Sequence, residues 1–377
     1  MQNITPTVMT SRKVKFLNRD KSSFFATLRG NIDEYFEENN LQKTGNNGLI
    51  LKAVFMLSLY LVPYFILLTN TFNGWQQLGL TIVMGFGVAG VGMSVMHDAV
   101  HGSFSSNKTI NEIFGGSLYL FGGNVYNWDM QHNKLHHTYT NVHHVDEDVT
   151  GKFLLRLTYD DKLKSVHRFQ YIYAFFLYSL MTISFLWKDF KEIKLYNELA
   201  KEGVMKPFPR EEYVKLFFGK LFYVFFICVV PILTLDISFG KWFAGFMIMH
   251  CISGLILSTV FQSAHIVEGA HHPVPDMKGN LENAWAVHQL LTTANFAGGN
   301  KLFSWFIGGL DYQVEHHLFP NISHIHYPKI AKIVEDTANQ FGIPYNNKVT
   351  FWKAIVSHKR ALQDLGTRLH DPLAMAS

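Results

Sequence analysis

Charge is the scarcest property of this 377-residue sequence: 16% of its residues are Asp, Glu, Lys or Arg, against 48% hydrophobic. Soluble domains carry about 25% charged residues, so a water-soluble globule is the class that this shortage argues against. Cysteine is nearly missing too. Cys228 and Cys251 each sit inside an apolar run, which excludes a disulfide framework and a cysteine-held zinc or iron–sulfur site and leaves two small buried hydrophobes. The formal net charge is +4 and the basic residues flank the apolar segments without forming a stripe, so no nucleic acid partner is indicated. The N-terminus, MQNITPTVMTSRKVKF, stays polar and basic too long for a secretory signal, which puts Met1 on the cytoplasmic side. No internal repeat, low-complexity tract or linker marks a second domain.

What the chain does have is long apolar runs and phenylalanine, 33 copies against 7 Trp and 16 Tyr. Runs at 49–69, 75–96, 214–235 and 242–264 each approach the ~20 residues that cross a hydrocarbon layer of about 30 Å. The connectors 70–74 and 236–240 hold no basic residue, whereas 188–210 holds Lys188, Lys191, Lys194, Lys201, Lys206 and Arg210, so the latter marks cytoplasm. Residues 113–121 are apolar but too short to cross and read as an interfacial or buried helix. A fifth run, 169–187, is rich in aromatic rings but contains Ser179, Thr182 and Ser184, and reads as an interfacial or re-entrant segment. Residues 1–48 form a cytoplasmic arm with a helix around 21–38. Residues 49–377 form the membrane domain, and its part from 268 to 377 is mixed in polarity, with amphipathic helices expected at 327–340 and 350–365. The expected fold is an all-α integral membrane protein: four transmembrane helices in two hairpins under a cytoplasmic helical cap that holds a di-metal site.

Histidines supply the site. HDAVH places His97 and His101 four residues apart after the second run, so that on a continuing helix they share a face. HNKLHH repeats that spacing at His132 and His136, and adds His137, which on an α-helix points partly away and could serve a second metal. QVEHH adds His316 and His317, with Gln313 one turn before. Imidazole suits zinc, copper, iron and nickel, but a structural zinc closes with four ligands, so this many histidines implies two metals. If all three later runs crossed the membrane, the third cluster would lie opposite the first two; one run must not cross, and 169–187 is the one assigned.

HDAVH, HNKLHH and LDYQVEHHLFPNI, in this order, resemble the three histidine boxes of the membrane fatty-acid desaturases, a non-haem di-iron family; the resemblance runs from about residue 75 to about 345. Gln313 opening the third box, and QLLTTANF before it, are similar to the front-end (Δ5/Δ6-type) branch. The resemblance implies two iron ions held by His97, His101, His132, His136, His137, His316 and His317. It also implies a lone ligand between the second and third boxes, for which His265 in FQSAHIVEG is the match and His288 in AWAVHQLL the rival. Gln313 is a ligand or a hydrogen-bonding neighbour. The implied activity is an O2-dependent desaturation that introduces a cis double bond into a fatty acyl substrate, acyl-CoA or acyl-lipid, lying in a narrow apolar tunnel. Many front-end enzymes carry a fused cytochrome b5 domain marked by HPGG; here His272–Pro273 is followed by Val274, so a separate donor, cytochrome b5 or ferredoxin, is expected.

Several neighbours have plainer readings. Asp98, Asp146, Asp148, Asp311 and Glu315 are partners for ligand N–H groups or ordinary surface acids, and His143 and His144 neighbour the site or lie on the surface and are not ligands. His250 falls inside a span, where helix-to-helix hydrogen bonding is its expected role. Trp128, Trp285, Asn295 and Phe296 line a tunnel or pack. The alternative functions are a related di-iron hydroxylase or sphingolipid-modifying enzyme, and a membrane metal-binding protein or carrier. A carrier would need ligands along the spans, whereas the clusters lie outside them.

Overall fold

The computed structural model describes residues 14–17, 23–150, 153–201, 205–296, 299–371 and 373. Residues 1–13 of the N-terminal arm, and residues 21–22 of the helix expected at 21–38, lie outside the described residues. The regular elements of the described chain are helices except for a short parallel pairing of β1 (Lys15–Phe16) with β2 (Asn280–Leu281) and an isolated bridge between Asn295 and Asn347. Helix α1 is Phe24–Glu38.

Among the described residues, four helices are long and apolar enough to cross a membrane: α2 (Asn47–Leu67), α3 (Gly74–Val100), and, further on, Arg210–Thr234 and Phe239–His265. Each lies within a few residues of an expected run, and their starts are chemically specified. Asn46 caps α2 by accepting from the Leu49 amide at 3.3 Å. Asn73 and Gln76 exchange hydrogen bonds at the start of α3, a capping box that satisfies two otherwise orphaned amides. The two helices then meet backbone to backbone: a Cβ on Gly87 would lie 2.6 Å from the Tyr60 nitrogen, so only glycine permits that approach. Helix α3 continues past residue 96 because its Gly92–Met96 turn is π-helical and does not break the rod.

The stretch 113–121 is a short helix, Lys108–Gly115, running into a 3-10 turn, Gly116–Phe121. The second histidine cluster lies on α4 (residues 125–139), whose central part, Asp129–His136, is π-helical. Next come α5 (Gln170–Ser179) and α6 (Met181–Lys201). The helical stretch Ser165–Ser179 and α6 are bent against each other by 78°, and α6 runs well beyond residue 187, where the apolar pattern ends. Its buried polar side chains account for the extra length: Lys220 of α7 (Arg210–Thr234) reaches Asp189 and the carbonyls of Gly122 and Phe185, and Lys188 pairs with Glu192 at 3.1 Å. α8 (Phe239–His265) passes so close to α5 that a Cβ on Gly254 would sit 2.5 Å from the Ser179 oxygen. At the end away from the histidines, Asn70 ties the two hairpin loops together, donating to Thr234 O at 2.7 Å and accepting from the Asp236 amide at 2.8 Å.

Helices α9 (Trp285–Thr292), α10 (Gln313–Leu318), α11 (Tyr327–Gln340) and α12 (Phe351–Leu365) form the cap, with the short helix Lys301–Phe306 between α9 and α10. The two amphipathic helices expected there are found, Thr350 serving as the N-cap of α12. Phe24, Leu28, Ile32 and Phe36 of α1 are buried in one cluster with Ile330, Val334 and Ala338 of α11, a one-face burial that gives α1 its register. Arg156, fully buried, fastens the chain's C-terminal part to the loop before α5. It donates to Leu365 O at 2.6 Å, Arg368 O at 2.7 Å, Asp161 O at 2.7 Å and Tyr159 O at 2.5 Å.

Removing that guanidinium strands the buried Leu365 carbonyl and several part-buried ones, a buried carbonyl costing about 1–3 kcal/mol when left unpaired. Arg156→Ala is therefore expected to lower the thermal unfolding midpoint and to open the stretch after residue 365 to limited proteolysis, while a change to Val214 on the lipid-facing side of α7 leaves both unaltered.

Candidate metal centre

All three histidine clusters meet where α3, α4, α8 and α10 come together. Nitrogens of His97, His101, His132 and His316 lie within 4.8 Å of one another, and so do those of His136, His265 and His317. A further set, His132, His136 and Asp148, borders both. His137 lies between the groups, its ring centroid 4.3 Å from that of His317, 4.6 Å from His316 and 4.8 Å from His101.

The π-helical winding of α4 sets this distribution. In a π turn the amide bonds five residues back, as His137 N–H does to His132 O, so rings at i and i+5 come together: His132 Nε2 and His137 Nε2 are 3.2 Å apart. On an α-helix His132 and His136 would share a face and His137 would turn away. Here the wider turn gives His136 to the group of His265 and His317 and keeps His137 beside His132.

Both nitrogens of His97, and Nε2 of His101, His265, His316 and His317, are buried with no hydrogen-bond partner among the described residues. Buried polar atoms are normally paired, and several unpaired imidazole nitrogens converging on two points are the chemistry of metal ligands. The outward nitrogens, by contrast, are held. His136 Nδ1 donates to Asp146 Oδ2 at 3.0 Å, and Asp146 is fixed by the amides of Asn141 and Asp148, both at 2.9 Å. His317 Nδ1 donates to Gln289 Oε1 at 2.9 Å, an oxygen that also accepts from Thr140 at 3.0 Å. His265 Nδ1 faces the Thr292 carbonyl at 3.4 Å. Acceptors on these Nδ1 atoms put the proton there and leave Nε2 as a lone pair, the tautomer that binds metal.

Electrostatics work the same way. Burial first, and then the neighbouring imidazoles, push His101, His132, His137, His316 and His317 well below the ordinary histidine range, so the rings are neutral. Burial also lowers His136, but the charge and hydrogen bond of Asp146, with Asp148, outweigh it and raise the group.

Not every candidate is drawn in. Gln313 is buried in the first turn of α10, its amide oxygen and nitrogen without partners among the described residues. His288 is buried with Nε2 unpartnered, but it belongs to neither nitrogen group and packs edge-on against Phe16 at 5.2 Å. His143 faces Asp161 at 2.9 Å and stacks on His144. His250 bridges Tyr223 at 2.5 Å and Thr182 at 3.0 Å, helix to helix. Trp128 stacks on His132 at 4.4 Å, and Trp285 donates to His137 O at 3.2 Å. Asn295 braces α10, donating to Glu315 at 2.7 Å and accepting from the Val314 amide at 2.8 Å, while Phe296 packs on Phe351. Asp311 accepts from Ser304 at 2.8 Å.

Sequence reasoning misses four partners. Gln289 and Thr140 hold His317, and Tyr327 lies 3.2 Å from His316 Nδ1. His324 completes a buried chain: Lys52 Nζ donates to His324 Nε2 at 3.0 Å, and His324 Nδ1 donates to Asp98 Oδ2 at 2.6 Å, with Asp98 Oδ1 3.6 Å from His97 Nδ1. The neutral ring thus passes the charge of Lys52 to the acid beside a box histidine. The string HIHYP was a signal for His324 and Tyr327, and Gln289 opens QLLTTANF, although that string does not say what the side chain touches; Thr140 had no signal.

Comparison with known proteins gives one consistent result. Residues 73–348 match the family described as Fatty acid desaturase. The sn-1 linoleoyl-lipid 6-desaturase of Synechocystis sp. is 33% identical over 95% of this chain and 99% of its own length. The acyl-lipid (8-3)-desaturase of Physcomitrium patens is 31% identical over 94% of this chain and 74% of its own. The Delta(5) fatty acid desaturase A of Dictyostelium discoideum is 29% identical over 92% and 75%.

Metal analysis of purified protein, with variants, tests the geometry. His265→Ala is expected to lower the metal bound per chain by about half, whereas His288→Ala leaves it at the wild-type level; equal losses would contradict the grouping. His324→Ala, which strips a partner from Asp98, is expected to weaken metal retention against a chelator by about 10–100-fold.

Proposed function

Because the chain belongs to the fatty acid desaturase family, we propose that it introduces a cis double bond near the carboxyl end of an acyl chain carried on a membrane lipid, at two iron ions. That it is a fatty acyl desaturase follows from the family; the lipid carrier, the position and the metal are our reading. Relatives named for linoleoyl-lipid and acyl-lipid substrates favour a lipid carrier over a coenzyme A thioester, and the names with 6- and Delta(5) favour a front-end position.

The observation that carries the reading is the pair of nitrogen groups with their lone pairs directed inward. The proposed ligands are His97, His101, His132, His136, His137, His265, His316 and His317, with Gln313 a further one or a hydrogen-bonding neighbour. A bound iron pair would supply the activation of O2. The chemistry balances as two hydrogens leaving adjacent methylenes, which with O2, two electrons and two protons end as two waters. The chain's own contribution is orientation and exclusion of water. Asp146, Gln289 and Thr292 hold ring tautomers, and Trp128 and Phe261 form an apolar wall beside the box histidines, Phe261 lying 6.2 Å from His97 and 5.9 Å from His132 by ring centroids. That wall is where the proposed acyl chain runs, since only shape distinguishes one methylene pair from the next.

The site, with both termini, is assigned to the cytoplasmic face. The basic residues of 188–210 against the loops 70–74 and 236–240, which hold no Lys or Arg, support this, and the meeting of the second and third clusters requires an even number of crossings between them, which α7 and α8 supply. The bent pair α5–α6 then lies at the interface. A separate cytochrome b5 or ferredoxin is the proposed electron donor.

Expression in a host fed defined fatty acids, with double bonds located by mass spectrometry in each lipid class, tests the proposal. New double bonds on the carboxyl side of existing ones, appearing first in phospholipids or glycolipids, are expected, and His316→Ala is expected to remove at least about 99% of them. Hydroxylated products without new unsaturation would overturn it.

A further inference from the structure

A second apolar space lies far from the histidines. It is a cavity of about 290 Å³ between the two hairpins, near the lower end of the roughly 300–1,000 Å³ of small-molecule sites. Tyr64, Met84 and Met249 are buried at its back, and Lys241, Gly74 and Ala244 are exposed at its rim. At about 1.5 Å per helical residue, Met84 stands ~20 Å along α3 from His97. Between them lies the buried hydrogen-bonded layer of Thr182, His250 and Tyr223, directly next to Met249 on α8. The cavity is therefore closed off from the metal centre.

Its wall is built. The Phe225–Val229 turn of α7 is π-helical, which widens the helix and frees carbonyls, a device frequent at functional sites. The freed carbonyls are taken by cavity-lining rings: Tyr64 OH donates to Phe226 O at 2.6 Å and Trp242 Nε1 to Ile227 O at 3.1 Å. Thr81 Oγ1 is likewise used, donating to Gln77 O at 2.9 Å, and Gln77 Nε2 donates to Phe72 O at 3.0 Å. The polar ends of the lining are thus spent within the wall, leaving an apolar surface and one cation, Lys241, which makes no ion pair among the described residues. Water needs two to four polar partners to settle in a cavity, and this wall does not offer them; hydrocarbon fits, and the rim charge calls for an anion.

We propose that the cavity binds one acyl chain of an anionic membrane lipid, with its phosphate at Lys241. The size admits a single chain, so the lipid's second chain stays in the bilayer. The site is separate from the substrate's and serves to hold the two hairpins together at the end where Asn70 is their polar tie.

Native mass spectrometry of the detergent-purified protein tests this independently of any activity, with dioleoyl phosphatidylglycerol and dioleoyl phosphatidylcholine as probes. One phosphatidylglycerol per chain is expected, bound about fivefold tighter than phosphatidylcholine, the effect of one lysine near an anionic head group. Gly245 lines the cavity, and a Cβ there meets only Thr81, at 3.7 Å, so Gly245→Leu fills the space without a backbone clash. It is expected to weaken that binding by roughly tenfold or more and to leave desaturation unchanged. Lys241→Gln is expected to erase the preference between the two lipids. Wild-type binding by Gly245→Leu would overturn the proposal, and so would a changed chain-length profile of the desaturated products, which would assign the space to the substrate's methyl end. Should Gly245→Leu fail to fold, the exposed Lys241→Gln decides: an undiminished preference for phosphatidylglycerol overturns the site.

Discussion

The structure turns on the cost of burying imidazoles side by side. Rings packed with centroids 4.3–5.3 Å apart, as His97, His101, His132, His136, His137, His265, His316 and His317 are with their near neighbours, cannot all carry protons, because each charge would repel the next in a medium that screens poorly. Neutral rings solve the repulsion but leave lone pairs unmatched, since the site holds few donors to meet them. A divalent cation held in each group, as proposed, would satisfy the lone pairs and turn the crowding into coordination. The Nδ1 acceptors, Asp146, Gln289 and the Thr292 carbonyl, fix in advance which nitrogen faces inward, so the groups are arranged for metal by the protein alone.

Everything around the centre serves to keep those rings in place. The histidines stand at the ends of α3 and α8, on the loosened helix α4 and on α10, and each carrier is braced by a different device: glycine contacts for the spans, Asn295 for α10, and the Lys220–Asp189 pair against the first turn of α4, where Asn127 donates to the Asp189 side chain at 3.2 Å. The Lys52–His324–Asp98 chain joins the first hairpin to the cap through a neutral histidine, which lets a buried lysine and a buried aspartate offset each other without touching. Membrane span, cap and site are therefore one mechanical unit.

Much of this was legible in the sequence. Apolar length marked the four spans, because a hydrocarbon layer accepts little else, and the box histidines stood out by spacing. The place of His265 at the end of a span, like that of His97, favoured it over His288 as the lone ligand that the resemblance implies; its grouping with His136 and His317 came only from the structure. The winding of α4 was not legible: residue types do not distinguish an α from a π turn here, and the difference decides whether His136 or His137 faces the second group. Nor were the contacts of the partners that arrive from afar, Gln289 and Thr140 at His317, Tyr327 at His316 and His324 at Asp98: QLLTTANF and HIHYP contain three of them, but a local string does not tell which distant ring a side chain meets. The length of α6 was hidden because its buried side of Lys188, Asp189 and Glu192 reads as a solvated charge run until the facing Lys220 is known.

The central claim is that two cations sit in the two nitrogen groups. Anomalous scattering from crystals of the metal-loaded protein, recorded at the iron absorption edge, tests it most directly. The account predicts two peaks, one among His97, His101, His132 and His316 and one among His136, His265 and His317; a single peak, or a peak at His288 in place of His265, would contradict it.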